Sequence, residues 1–310
     1  MNIIYMGSAA FSVPSLDAII KSSHHVAGVI SNPEKPAGRG LKNKSTPVAQ
    51  MALQHNIDIL TPVTLRNNSE TNAWIRRHAP DALVVVAYGK FIPPDILPIP
   101  AYGCLNLHPS LLPKYRGAAP IQRAIMNGET ITGVSVMLLD EGMDSGPVLM
   151  QKEVGIAPSD DAITLGEKLA VLGADMLLKT LDLLERKQIE PVAQQHELAT
   201  LAPKISKEEG RLDFTRPAAE LHNLVRALIE WPGAWTYHNG EIIQVRGTEA
   251  LNDKSNEQAG SIITIDKQGI HVATGAGVLI IKSVKPSGRK TMDAFSYANG
   301  RQTKTGDLLG

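Results

Sequence analysis

Apolar residues in the first half of the chain form short uninterrupted runs that alternate with amphipathic segments. The clearest run, 82–87, reads ALVVVA, which is typical of a strand buried on both faces of a parallel sheet. Similar runs predict strands at 2–6, 26–30, 104–107, 134–139 and 148–154, and helical spacing predicts helices at 14–21, 47–55, 65–78, 118–127 and 161–185. This alternation favours an α/β domain with a doubly wound, mostly parallel sheet.

The pattern changes near residue 187. The stretch 188–207 is polar and carries two prolines, which predicts a linker. Beyond it the spacing predicts one helix at 217–230. Short β-branched runs then follow at 241–246, 261–265, 270–273 and 278–284, separated by turn residues such as Asn239-Gly240. We therefore expect an α/β domain at 1–187, a linker at 188–207 and a smaller, OB-like β-barrel domain at 208–310.

Composition narrows the functional classes without selecting one. Hydrophobic residues make up 43% of the 310 residues, enough for a substantial core, and the formal net charge is zero. Any binding of nucleic acid must therefore depend on a local basic patch. The single cysteine, Cys104, allows no internal disulfide and no cysteine-based zinc spacing, which fits a reducing, cytoplasmic setting. We expect neither a signal peptide nor a membrane span, because no basic leader and no run of about 20 apolar residues is present.

The first predicted strand-to-helix turn argues against a dinucleotide site. It reads Gly7-Ser8-Ala9-Ala10-Phe11, so two of the three phosphate-binding glycines are missing, and the second strand ends without an acidic residue for a ribose. The chain also has no GxxxxGK[ST] and no GxSxG motif, which disfavours a nucleoside triphosphatase and a serine hydrolase. Any chemistry is then expected beyond the carboxyl ends of the strands.

Asn106 and His108 stand at such a strand end. Residues i and i+2 of an extended segment point to the same face, so the two side chains are expected to lie together. The Asn106 amide can donate a hydrogen bond to a developing oxyanion, and the His108 imidazole can carry a proton near neutral pH. Asp144, bracketed by Gly142 and Gly146, is the best candidate to orient the imidazole. The same residues also have plainer explanations, a hydrogen-bonded turn and an Asx turn.

Two segments carry a resemblance to a known family: NLHPSLLPKYRGAAPIQRAI, residues 106–125, and GMDSGPVL, residues 142–149. Together they resemble the active-site pattern of the folate-dependent formyltransferases. The resemblance implies catalytic roles for Asn106, His108 and Asp144, and 10-formyltetrahydrofolate as the formyl donor with no metal. It also implies that the turn Ser110, Leu111, Leu112 and Pro113 lines the folate site. Pro109 departs from bacterial members, which often have glycine there; it is expected to stiffen the turn and to leave the three catalytic positions in place.

Three further features resemble the members of this family that formylate methionyl initiator tRNA. The chain continues to residue 310, whereas a glycinamide ribonucleotide formyltransferase is expected to be shorter. SKEEGRLDF (206–214) and WPGAW (231–235) resemble the C-terminal domain of those tRNA-dependent members, and NPEKPAGRGLKNKSTPV (32–48) resembles their loop that engages the acceptor end. The resemblance therefore implies methionyl initiator tRNA as the partner. The sequence does not give the oligomeric state, and a monomer is the default expectation.

Basic side chains are the candidates for contacting the RNA. They comprise Arg39, Lys42, Lys44, Lys204, Lys207, Lys282, Lys285, Arg289 and Lys290. An ordinary solvated loop and an ordinary charged surface are the plainer explanations for these clusters. Two other functions also stay open: formyl transfer to a small amine, of the glycinamide ribonucleotide or nucleotide-sugar type, and RNA binding without catalysis.

Overall fold

The structure, a computed structural model, describes residues 1–37 and 42–310. The chain divides into two compact units. The first comprises Met1–Pro120, Ile131–Gly155 and Gly166–Pro203, and the second comprises Ile121–Thr130, Ile156–Leu165 and Lys204–Gly310. Each unit is therefore built from several stretches of sequence.

The chain up to residue 185 contains nine strands and five α-helices among its described residues. The strands are β1 (Asn2–Gly7), β2 (His25–Ile30), β3 (Lys35–Ala37), β4 (Lys42–Lys44), β5 (Ile59–Leu60), β6 (Ala82–Val86), β7 (Cys104–His108), β8 (Ile131–Leu138) and β9 (Val148–Gly155). The helices are α1 (Val13–Ile20), α2 (Pro47–Gln54), α3 (Ser69–Arg77), α4 (Pro120–Met126) and α5 (Ala162–Glu185).

Seven of these strands form the sheet of the first unit, in the order β5-β2-β1-β6-β7-β8-β9. The first five strands in this order, β5, β2, β1, β6 and β7, are parallel to one another. Strands β8 and β9 add an antiparallel edge beside β7. Chain order reverses between β1 and β6, the kind of position where open α/β sheets bind ligands. The prediction of a doubly wound, mostly parallel sheet is confirmed.

The central strands are apolar because both faces of the sheet are covered. All five residues of β6 are buried, as the unbroken ALVVVA pattern predicts. On β2, Gly28 lies so close to the Trp74 ring of α3 that an added Cβ would collide with it. Helix α3 begins at Ser69, four residues later than expected, because the Asn68 side chain caps it by accepting the Thr71 N–H.

The region expected to be a linker differs in the structure. Residues 190–203, which we call the strap, run along the first unit as far as Pro203. Val192 forms a two-way backbone bridge with Val148 of β9, and the backbone of Arg116 exchanges hydrogen bonds with Thr200 and Ala202. Backbone pairing of this kind leaves no mark in side-chain composition, so a polar, proline-bearing sequence gives no sign of it.

The second unit consists mainly of an antiparallel sheet. Its elements are α6 (Ala218–Ala227), β10 (Ala234–His238), β11 (Glu241–Leu251), β12 (Ile262–Asp266), β13 (Gly269–Ala273), β14 (Val278–Pro286), β15 (Met292–Asp293) and α7 (Ala294–Arg301). The strand order is β10-β11-β14-β13-β12, with β15 beside β14. Leu309 bridges to His238 at the end of β10 and Leu308 bridges to Ser261 before β12, so two isolated bridges link the sheet edges. The unit is therefore barrel-like but not a closed barrel, and β10 and α7 were not predicted.

No helix of the described chain is both long enough and apolar enough to span a bilayer.

Candidate active site

Strand β7 brings Asn106 and His108 to one place. Their side chains lie two positions apart at the carboxyl end of the strand, and both reach the carboxylate of Asp144. The Asn106 amide nitrogen lies 3.4 Å from Asp144 Oδ1, and His108 Nδ1 lies 3.6 Å from Asp144 Oδ2. His108 is 4% exposed and Asn106 is half-buried. The three predicted catalytic side chains thus converge.

A tight loop between β8 and β9 presents Asp144. The backbone of Asp144 is left-handed, with a φ of +49°. The Asp140 carboxylate closes the loop by accepting hydrogen bonds from the Gly142 N–H and the Ser145 hydroxyl. Gly146 passes so close to the Leu138 carbonyl that any Cβ there would collide with it. The flanking glycines predicted this bend, and Gly146 is required by the close approach.

The Asp144 carboxylate is also held from the backbone. The Gly117 N–H donates to Asp144 Oδ2 over 2.8 Å. This bond fixes the oxygen that faces His108 and leaves Oδ1 for the Asn106 amide. The Asp is therefore oriented by two donors from separate segments of the chain.

A backbone carbonyl determines the tautomer of His108. Nε2 lies 2.9 Å from the carbonyl oxygen of Tyr115, which can only accept a hydrogen bond. Nε2 therefore carries a hydrogen, and Nδ1 is the nitrogen that gains or loses a proton. Tyr115 has a φ of +61°, an uncommon conformation for a side chain of its size, which aims its carbonyl at the ring.

This arrangement has the parts that acyl transfer to an amine needs. The Asn106 N–H and a protonated His108 Nδ1 are donors suited to a carbonyl oxygen that gains negative charge. A neutral Nδ1 is a base for an attacking amine. Within residues 1–37 and 42–310, no cluster of three or more His, Cys, Asp or Glu side chains is arranged to hold a metal ion.

The turn predicted to line the folate site is held by buried contacts. Ser110 is fully buried and donates its hydroxyl hydrogen to the Lys114 carbonyl. Leu112 is also buried, and Leu111 approaches Gly133 of β8 closely. Leu111 and Pro113 are half-buried, so these two offer more accessible surface than the other two members of the turn.

The predicted RNA-binding residues fall into several groups. Arg39 lies outside the described residues, and Lys42 belongs to β4, which pairs with β3. The remaining members are all exposed: Lys44, Lys204, Lys207, Lys282, Lys285, Arg289 and Lys290. Among the described residues, each of these except Lys282 has no carboxylate partner. Lys282 instead forms an ion pair with Glu249 of β11, with Nζ 2.5 Å from Oε2. This partner lies 33 positions away on the neighbouring strand, where no sequence pattern indicates it.

Sequence reasoning missed two contributors that act through backbone atoms, the Tyr115 carbonyl and the Gly117 N–H. Both lie in the KYRG segment, residues 114–117 of the motif. The motif therefore indicated this segment but not the roles of its backbone atoms. Cys104 is buried as expected, and burial raises the pKa of its thiol to about 12. It therefore stays protonated at neutral pH and takes no part in this chemistry.

The chain is similar to known proteins in both of its halves. Residues 1–181 match the family model described as Formyl transferase, and residues 204–302 match the model described as Formyl transferase, C-terminal domain. The methionyl-tRNA formyltransferase of Alkaliphilus oremlandii is 42% identical over the full length of both chains.

Two solved structures are also similar. One is an N-formyltransferase from Helicobacter canadensis in complex with folinic acid and dTDP-3-aminofucose, with a TM-score of 0.68 and 18% identity over 90% of this chain and 98% of that one. The other, a phosphoribosylglycinamide formyltransferase from Bacillus halodurans, has a TM-score of 0.51 and 26% identity, and covers 60% of this chain and 97% of its own. The first likeness, at 18% identity, concerns the fold alone.

The fold, the converging Asn-His-Asp set and the two matching family models define a formyltransferase, and the chain belongs to the formyl transferase family. Within that family it belongs with the methionyl-tRNA formyltransferases, which it matches over its full length.

Proposed function

We propose that the protein transfers the formyl group of 10-formyltetrahydrofolate to the α-amino group of methionyl initiator tRNA. It does so in the cytoplasm and as a monomer. The observation that carries the proposal is the convergence of Asn106, His108 and Asp144 in a chain similar over its full length to methionyl-tRNA formyltransferases. The phosphoribosylglycinamide formyltransferase covers 60% of this chain, so the rest of the chain is available to bind a larger substrate.

The reaction forms one carbon–nitrogen bond and breaks another. The methionyl amine attacks the formyl carbon, and the carbonyl oxygen gains negative charge. The Asn106 N–H and the protonated Nδ1 of His108 stabilise that charge; losing one such donor typically costs about 10²- to 10³-fold in rate. The bond to N10 then breaks as the carbonyl reforms.

One proton must move for this exchange to balance. The attacking amine loses a proton and N10 gains one. Nδ1 of His108 gives its hydrogen to N10 as the bond to N10 breaks, and the neutral nitrogen then takes the proton that the attacking amine loses. The Asp144 carboxylate stabilises the protonated ring. Proton transfer by a positioned side chain typically contributes about 10²- to 10⁴-fold.

Exposed cations of the second unit suit the phosphate backbone of the tRNA. Lys285, Arg289 and Lys290 lie on β14 and in the turn that follows it. Such side chains bind phosphates without reading sequence and make binding depend on salt.

The function is tested by supplying the purified protein with 10-formyltetrahydrofolate and one acceptor at a time. The acceptors are methionyl initiator tRNA, methionyl elongator tRNA, glycinamide ribonucleotide and an amino-sugar nucleotide. Formylmethionine is expected with the initiator tRNA, and far less product with the others. Faster formylation of a small amine would refute the proposed acceptor, and binding of tRNA without any product would refute catalysis.

The assignment of the proton carrier is tested with His108→Ala. This variant should lose formyl transfer and keep nearly unchanged affinity for methionyl-tRNA, because the ring is needed for the proton and not for RNA contacts. The matched control is His55→Ala, which removes an exposed imidazole following α2 and should leave turnover unchanged. Comparable turnover in both variants would show that His108 does not carry the proton.

A further inference from the structure

A buried amide on the strap joins three segments around the catalytic loop. Gln194 is 8% exposed. Its Nε2 donates to the backbone carbonyls of Asp144, at 2.9 Å, and Gly146, at 2.6 Å. Its Oε1 accepts from Nε and Nη2 of Arg116, at 3.1 and 2.7 Å. The amide therefore uses both donor hydrogens and both acceptor sites of its oxygen.

The two carbonyls that Gln194 binds belong to the loop that presents Asp144, one on Asp144 itself and one on Gly146. Asp144 has a left-handed backbone, which a non-glycine residue keeps only where its surroundings hold it there. The Gln194 amide supplies two hydrogen bonds to this turn, one on the catalytic residue itself. Without them the loop would be tied mainly by its own Asp140 contacts and by the Gly117 N–H on the side chain.

The amide oxygen of Gln194 holds Arg116, the residue before Gly117, whose N–H binds the Asp144 carboxylate. Arg116 is as buried as Gln194, and its guanidinium hydrogen-bonds to Gln194 and to Nδ1 of His196. The next residue is Gly117, whose N–H orients the Asp144 carboxylate, and the preceding residue is Tyr115, whose carbonyl holds His108. One side chain thus ties the segment that orients the His to the loop that carries the Asp.

We infer that Gln194 is a positioning residue for formyl transfer, which sets the separation of Asp144 from His108 by holding the Asp144 loop against Arg116. It touches neither substrate nor reacting atoms. Its loss should therefore lower turnover and spare substrate binding. The inference rests on the proposed function, since turnover is part of its test.

The test compares Gln194→Glu with Gln195→Glu. The first keeps an oxygen acceptor for Arg116 but replaces both donor hydrogens with a carboxylate that repels the loop carbonyls. The second makes the same change on an exposed neighbour. For Gln194→Glu we expect kcat to fall by about 10- to 100-fold, the range typical of partners that orient metal ligands, with KM for both substrates unchanged. Gln195→Glu should match the parent protein.

Two readouts separate positioning from general destabilisation. The first is the exchange rate of the Gly117 amide hydrogen, which should rise in Gln194→Glu as the carboxylate of Asp144 shifts, with no change in Gln195→Glu. The second is Gln194→Glu in an Asp144→Asn background, where it should cost little further turnover because the group it positions is already altered. Gln194→Met, which removes every polar contact of the amide, should reproduce the loss of kcat.

Several results would overturn the inference. They are parental kcat in Gln194→Glu, an equal loss in Gln195→Glu, full additivity with Asp144→Asn, or a lowered unfolding temperature that accounts for the loss of activity. If the parent protein formylates no tRNA, the proposed function fails, and the exchange rate at Gly117 then decides the positioning role by itself.

Discussion

The carboxylate of Asp144 receives hydrogen bonds from two directions before any substrate is present. Gly117 provides a backbone N–H to one oxygen and Asn106 an amide N–H to the other. The longer of these bonds, the 3.4 Å contact to Asn106, is the one that a substrate carbonyl can replace most easily. The Asn106 amide can therefore leave Asp144 and donate to the substrate carbonyl instead.

Replacing Asn106 by Ala should lower kcat by about 10²- to 10³-fold and change KM little, because its N–H stabilises charge that develops only in the transition state. Steady-state formylation of methionyl-tRNA measures this. Asn252→Ala, at an exposed position of the second unit, is the matched control. A rise in KM with unchanged kcat would instead make Asn106 a ground-state binding residue.

The three catalytic side chains could be predicted from the sequence, and the groups that orient them could not. Asn106 and His108 follow from strand periodicity, and Asp144 follows from its flanking glycines and from the resemblance. The Tyr115 carbonyl meets a ring seven positions away, and the Gln194 amide makes contacts between 48 and 78 positions away. Any residue type has a carbonyl, so no residue pattern marks the one that meets the imidazole.

At the scale of elements, the turn after β7 is held by hydrogen bonds from the antiparallel strands β8 and β9. The Ser135 hydroxyl of β8 donates to the Ser110 carbonyl at 2.6 Å and accepts the Leu112 N–H at 3.1 Å. Gln151 of β9 donates to both the Leu112 carbonyl and the same Ser135 oxygen, at 2.8 Å each. The antiparallel edge of the sheet thus shapes the turn predicted to line the folate site.

Replacing Ser135 by Ala should lower the free energy of unfolding of the first unit by about 1–3 kcal/mol, because the buried Leu112 N–H and Ser110 carbonyl each lose a partner. Denaturant-induced unfolding measures the change. Ser287→Ala, which removes an exposed hydroxyl, should stay within about 0.5 kcal/mol of the parent. Equal effects of the two variants would mean that the Ser135 hydroxyl does not support the turn.

Strands and helices with strong periodicity were predictable, while elements defined by their neighbours were not. The buried run of β6 and the long α5 match their patterns closely. The strap and β10 escaped prediction because their pairing partners, not their own apolar patterns, define them. Helix α7 has a weakly amphipathic sequence, and its start depends on the Asp293 side chain, which caps it by accepting the Ser296 N–H.

At the scale of the whole molecule, a chain of zero net charge must concentrate its positive charge locally to hold RNA. The structure divides the basic residues of β14 into two kinds. Lys285 has no carboxylate partner among the described residues, whereas the Lys282 ammonium is paired with Glu249. The sequence showed both lysines alike and could not distinguish them.

This difference predicts unequal salt dependence. For Lys285→Ala, the slope of log KM for tRNA against log salt concentration should become shallower by roughly one unit, as expected for one lost phosphate contact. Lys282→Ala should change the slope less, because Glu249 already neutralises that ammonium. Steady-state kinetics over a series of salt concentrations provides the measurement. Parental slopes in both variants would place the RNA elsewhere on the molecule.

Because of the Tyr115 carbonyl, the imidazole of His108 can exchange a proton at only one of its two nitrogens. Its far nitrogen keeps its hydrogen in every charge state, so nothing can pass through the ring toward the interior. A proton that Nδ1 accepts must therefore leave the ring from Nδ1 as well. The amine that arrives and the N10 that departs must therefore both exchange their proton with the ring at Nδ1.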